Sequence, residues 1–282
     1  MGKFLVSLLF FLCSSSALAF NVILPPKIKT TNGQIRVMII DTGIDLSNPI
    51  IRHFINKKQN LRSDNFKDRI GHGTNIAGIV IWGRPHRENN KILIKNLVCP
   101  QVKIYSCNFF AKTYGSLGET IDCYKQAIKD KIDIINYSAG GELFSREEER
   151  AIKTLQRNKI PLVCAAGNNG VDASLFPFYP ASLSLKSKIL NIYPVGSLNN
   201  RGKVSSFSNF GLPMAWEKGQ GDLSALPAKE AWIANNAFYY GNNLYGYLEG
   251  TSQATALYTH RLLIKKCQEM QKINKKLAIK IK

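Results

Sequence analysis

Acidic residues are scarce in this chain. Nineteen Asp and Glu stand against 38 Lys and Arg, a formal net charge of +19 over 282 residues. A field that strong favours acidic surfaces, anionic lipid or nucleic acid as non-specific partners, but it governs encounter rather than chemistry. Long apolar runs are missing beyond the N-terminal segment. Crossing a bilayer takes about 20 apolar residues, so the mature chain is expected to be soluble. Internal repeats and low-complexity linkers are absent too, and a chain of this length then reads as one large domain. Cysteines are few, six in all, and their spacings match no zinc pattern, which argues against a metal–cysteine site.

What is present begins with a targeting signal. Lys3, the apolar run FLVSLLFFLC and the triplet Ala17-Leu18-Ala19 read as a signal peptide over residues 1–19, cleaved after Ala19. The protein is therefore expected to be exported, to the periplasm or the extracellular space, with a short segment 20–34 ahead of its main domain. Loss of Cys13 leaves Cys99, Cys107, Cys123, Cys164 and Cys267, an odd set that requires at least one free or intermolecular thiol. Cys164, inside IPLVCAAG, is expected to be a small buried hydrophobe. Spacing alone assigns no disulfide.

The middle of the chain alternates strand and helix signals. IRVMII (35–40), QVKIYSCNFF (101–110), IDIINYS (132–138), IPLVCAAGN (160–168) and ILNIYPVGS (189–197) are strand-like. GTNIAGIVI (73–81), LGETIDCYKQAIKD (117–130) and REEERAIKTLQRNK (146–159) have helical character. Apolar strands alternating with helices predict an α/β fold, a three-layer doubly wound sheet, mostly parallel, with helices on both faces. Ligands in such sheets bind beyond the carboxyl ends of the strands. Asp41, Ser138 and Asn168 each fall at or just past such an end.

The domain is expected to span residues 35–265, followed by a basic amphipathic helix or tail over 266–282. Ile264, Cys267, Met270, Ile273, Leu277 and Ile281 share one helical stripe with lysines between them. Such a helix either packs on the domain with a solvated basic face or touches anionic membrane.

Three segments require a joint reading: MIIDTGID (38–45), GHGTNIAG (71–78) and GTSQATA (250–256). Singly, an Asp after a strand is often a turn, a lone His is often structural, and Ser is a favoured helix cap. Together, in the order Asp, His, Ser and pressed by glycines, they resemble the signature segments of the subtilisin-like serine proteases, whose chain order is the same. VCAAGNNG (163–170) resembles that family's oxyanion-asparagine strand, and NIYPVGSLNNRGKVSSFSNFG (191–211) its later strand-turn segment. The resemblance covers roughly residues 35–265.

It implies a serine endopeptidase working through an acyl-enzyme. His72 would take the proton of Ser252, Asp41 would fix the imidazole tautomer, and the Asn168 amide would donate to the oxyanion. By the same resemblance Ser138, Ala139 and Gly140 line one side of the substrate cleft and Gly115 the other, or these are merely glycine-rich loops. Ala139 stands where Leu is usual, suggesting more room. No cofactor and no metal is implied, since no acidic loop matches a calcium site.

Departures are specific. Gln253 replaces Met after the serine, Ala256 replaces Pro, and Asn75 replaces a second His in the histidine segment. MAWEKG (214–219) stands at a usual Ala-Pro-Gly turn, which puts that loop's shape in question. The interval before Asp41 is too short for the inhibitory prodomain of secreted members, so none is expected. Expected partners are protein or peptide substrates, with non-specific attraction to acidic surfaces, no specific nucleic acid, and a monomeric state. The alternative is a weak or inactive relative that binds peptides or proteins.

Overall fold

In the computed structural model, residues 25–30, 33–56, 66–89, 91–111, 114–186, 188–228 and 236–280 are described. Residues 1–19, expected to be a signal segment, lie outside them. The chain forms the strands β1 (Ile35–Asp41), β2 (Val102–Asn108), β3 (Ile134–Tyr137), β4 (Leu162–Ala165), β5 (Ile192–Leu198) and β6 (Ala215–Lys218), then β7 (Asp222–Leu226), β8 (Phe238–Tyr240) and β9 (Asn243–Leu248). Its helices are α1 (Pro49–Phe54), α2 (His72–Trp82), α3 (Leu117–Lys129), α4 (Arg146–Arg157) and α5 (Thr251–Lys280).

The first six strands make one sheet in the order β6-β5-β4-β3-β1-β2, and every pair in it is parallel. Residues of β1 show why the strands are apolar throughout. Ile35, Val37 and Ile39 enter one core cluster, and Met38 and Ile40 enter the other. Successive side chains point to opposite faces, so a strand covered on both faces must be apolar at every position. Helices α2 and α5 cover the first face, with Ile76, Ile79, Leu257 and Leu263 in its core. Helices α3 and α4 cover the second, through Tyr124, Ala127, Ile152 and Leu155. This is the three-layer α/β arrangement expected.

The chain leaves β1 towards α2 on one face and leaves β3 towards α4 on the other. Strands β1 and β3 are neighbours, so a crevice opens where the connections diverge. Two capping serines fix where the second-layer helices begin. Ser116 Oγ accepts from Glu119 N and Ser145 Oγ from Glu148 N, satisfying first-turn donors. Glu147, Glu148 and Glu149 sit in the first turn of α4, where the helix dipole favours negative charge.

Two features went beyond the strand pattern of the sequence. MAWEKG contributes β6, the edge of the parallel sheet, rather than an open turn. Strands β7, β9 and β8 form a separate antiparallel sheet that delivers the chain into α5. Helix α5 then runs unbroken through residues 265 and 266. Leu262, Leu263 and Cys267 are buried along it, and Ile264 and Met270 pack against the core. The side chains of Ile273, Leu277 and Ile281 lie outside the described residues. Disulfides join Cys99 to Cys267 and Cys107 to Cys123, and Cys164 is free and buried. Among the described residues no helix is long and apolar enough to cross a membrane.

Candidate active site

Asp41 is the last residue of β1 and is 1% exposed. His72 opens α2, and its Nδ1 lies 2.7 Å from Asp41 Oδ1. A carboxylate can only accept, so the proton of the neutral imidazole sits on Nδ1 and leaves the Nε2 lone pair free. Gly71 precedes the helix at φ 96°, a left-handed conformation that glycine adopts without a steric cost. At Gly73 a Cβ would overlap the Gly43 carbonyl oxygen and press on Asp41. The glycines flanking the histidine are therefore what lets α2 approach the end of β1.

Asp68 holds this junction together. Its Oδ1 accepts from Thr42 Oγ1 at 2.8 Å and from Gly71 N at 2.7 Å. Its Oδ2 accepts from Thr74 N at 2.8 Å and from Thr74 Oγ1 at 2.6 Å. One buried carboxylate thus ties the residue after Asp41 to the first turn of α2. Burial lowers the His72 pKa, but the charge and hydrogen bond of Asp41, with the charge of Asp68, outweigh it. The imidazole is held above its ordinary value of 6.5.

Ser252 is the second residue of α5, inside the first turn rather than at a cap. Its hydroxyl donates to the Ser138 carbonyl oxygen at 2.8 Å. The reciprocal bond runs from Ser138 Oγ to the Ser252 carbonyl at 2.9 Å. Behind it, Asn136 Nδ2 donates to Ser138 Oγ at 3.0 Å, and Thr259 Oγ1 donates to Asn136 Oδ1 at 2.9 Å. A chain of buried hydrogen bonds therefore pins the first turns of α5 to the end of β3. Gly250, at φ 152°, turns the chain into that helix.

Asn168 lies just past β4. Its Oδ1 accepts from both Thr251 N and Thr251 Oγ1, each at 2.9 Å. That fixes the amide with its oxygen on Thr251 and leaves the Nδ2 donor beside Gly250. Asp41, His72, Ser252 and Asn168, with Ser138, Ala139, Gly140 and Gly115, all border one cleft of about 740 Å³. The structure brings every sequence-predicted site residue together. In the same wall the Phe178 ring occupies the space beside Gly140 and Gly167.

Sequence reasoning missed Asp68, Asn136, Thr251 and Thr259 as site-building residues. Asp68 had one usable signal, an acid a few residues before a helix start. Two departures noted separately prove to be partners. Gln253 Nε2 donates to Asn75 Oδ1 at 3.3 Å, and both side chains are buried, so the residue after the serine is joined to the histidine helix.

Residues 32–266 match the model of the subtilase family. The chain is similar to the major intracellular serine protease of Bacillus subtilis, 28% identical over 86% of this chain and 72% of that protein. It is also similar to subtilisin NAT of Bacillus subtilis subsp. natto, 26% identical over 80% of this chain and 53% of that one. Among solved structures, a lanthipeptide protease superposes with a TM-score of 0.64 at 20% identity, over 82% of this chain and 72% of that one. The prenylagaramide maturation protease superposes at 0.62 and 23%, over 84% and 77%. These last two likenesses concern the fold.

Proposed function

We propose, from the premise that this chain belongs to the subtilase family of serine proteases, that it cleaves peptide bonds through Asp41, His72 and Ser252. The observation that carries the reading is the meeting of these three with Asn168 in one cleft, with the imidazole already oriented by Asp41.

In this reading Ser252 Oγ turns from the Ser138 carbonyl to His72 Nε2 when substrate binds. Catalytic hydrogen bonds often form only in the substrate complex. The oxygen attacks the scissile carbonyl carbon as its proton passes to Nε2, and Asp41 stabilises the imidazolium. Asn168 Nδ2 and the N–H groups at the start of α5 meet the developing oxyanion. The C–N bond then breaks, the amine leaves with the proton from His72, and water hydrolyses the ester by the reverse sequence. An extended peptide running between residues 138–141 and 114–116 gains main-chain hydrogen bonds along both edges.

A second reading, a peptide-binding relative of little activity, draws on the present bond of Ser252 Oγ to Ser138 rather than to His72. A fluorophosphonate probe separates the two. The first reading expects covalent labelling that Ser252→Ala abolishes and Asp41→Asn slows by about 10⁴. Absence of labelling in the folded protein favours the second.

Export of a monomer is part of the same proposal. Its support is the N-terminal segment together with two disulfides, which persist in oxidising compartments.

A further inference from the structure

The cleft is acidic in a basic protein. Among the described residues its border includes three carboxylates, Asp41, Glu142 and Glu148, and no Lys or Arg, although basic residues outnumber acidic ones two to one over the chain, 38 to 19. Asp41 is committed to His72. Glu148 has no part in the proposed chemistry.

Three glutamates in a row open α4, and only the middle one turns inward. Glu147 bonds Ser145, and Glu149 pairs with Lys153 and Lys186 at the surface. Those two already answer the helix dipole. Glu148 is 4% exposed, and the partner it has is the Tyr124 hydroxyl at 3.3 Å. No ion pair to it occurs among the described residues. Burying an ionised carboxylate without a cation costs on the order of several kcal/mol, and an aliphatic residue would fill such a position without that cost.

The neighbouring walls are aromatic. The Phe109 and Tyr137 rings meet edge to face with centroids 5.6 Å apart, Thr120 Oγ1 lies 3.5 Å from the Tyr137 hydroxyl, and Thr120 and Leu117 border the same cleft. Apolar and aromatic walls with a buried carboxylate among them suit a long methylene stem carrying a positive head. Glu142, at the rim, adds negative potential along the approach.

We propose that this arm of the cleft is a substrate subsite for lysine or arginine, with the cationic head on Glu148 and the stem along Phe109 and Tyr137. The inference rests on the peptidase reading above and names its substrate class: peptides with a basic residue at one fixed position from the scissile bond.

The groups facing Glu148 from other elements are Tyr124 of α3, Tyr137 of β3 and Cys164 of β4. Burial raises all three well above neutrality. Burial also lifts Glu148 to about 7, opposed by the Tyr124 hydrogen bond. Preference for a cation therefore weakens as the pH falls through that value.

The test is a positional scan with the full chain. Each position of an octapeptide substrate is replaced in turn by Lys, Arg, norleucine or Glu, and preparations are normalised by fluorophosphonate titration. Expected is a kcat/KM advantage of Lys or Arg over norleucine of about tenfold or more at one position, and rejection of Glu there. Glu148→Gln should bring the Lys-to-norleucine ratio to within about threefold. A labelled wild-type enzyme with no such position, or a ratio that survives Glu148→Gln, overturns the subsite.

Failure of the peptidase reading looks different, because no labelling occurs. Binding of the same peptides to Ser252→Ala by fluorescence anisotropy then reads the subsite directly. Equal affinity for the Lys and norleucine peptides overturns it.

Discussion

Asp68 makes and breaks no bond, yet it acts on the base from two directions: it anchors the helix that carries His72, and its charge helps hold that imidazole protonated. Cleavage by the proposed mechanism requires neutral His72, so kcat/KM should rise with pH through a midpoint above 6.5. Stability should move the other way. A histidine whose folded pKa is raised contributes stability that is complete below its unfolded value and lost as pH rises through the folded one. Asp68→Asn removes the charge and turns an acceptor into a donor facing Thr74 N. The midpoint of the kcat/KM–pH profile should fall, and urea unfolding should show a loss of about 1–3 kcal/mol. An unchanged midpoint would refute the electrostatic part. At this scale the sequence was legible where a residue type is forced. Gly73 could be read because nothing larger fits between α2 and Gly43. Asn136 and Thr259 could not, since their roles exist only once β3 and α5 are adjacent.

Five strands of the parallel sheet and the helices between them were visible in the sequence, because covering both faces writes an unbroken apolar run. Strand β6 was not. Its Ala-Trp-Glu-Lys has no such run, and what makes it a strand is pairing with the edge of β5. The antiparallel β7-β9-β8 sheet was hidden likewise, in short segments rich in Gly, Asn and Tyr. Helix α5 shows how a tail can be structural. The Cys99–Cys267 bridge closes a separation of 168 residues and clamps α5 to the chain following α2. Cys267→Ala should lower stability by about 2–4 kcal/mol, measured as a drop in the thermal midpoint that reductant at least equals in the wild type, since reductant opens Cys107–Cys123 as well. A midpoint indifferent to both changes would show that packing by Leu262 and Leu263 alone holds the helix.

The chain carries a net charge of +19, yet among the described residues its cleft is bordered by acids and by no Lys or Arg. Two kinds of attraction follow, and salt separates them. Adsorption to anionic phosphatidylserine vesicles should be present at low ionic strength and vanish at about 0.5 M salt, where screening acts over only a few ångströms. Cosedimentation at both concentrations measures this, and vesicle binding that persists at high salt would point instead to apolar insertion. Hydrolysis of an uncharged peptide should change little across the same range. The basic surface was plain from composition, whereas the acidic lining was not, because Glu142 and Glu148 are remote from Asp41 in the chain and meet it only across the cleft.

The placing of Ser252 in α5 also sets an order of events in time. Ribosomes finish Asp41 and His72 long before residue 252, and the serine has no orienting partners until α5 lies across β3. In the proposed reading, a nascent chain extending past His72 but short of residue 252 carries the base without the nucleophile. In the proposed chemistry the nucleophile is therefore oriented only once α5 has docked on β3, after the base is already in the chain.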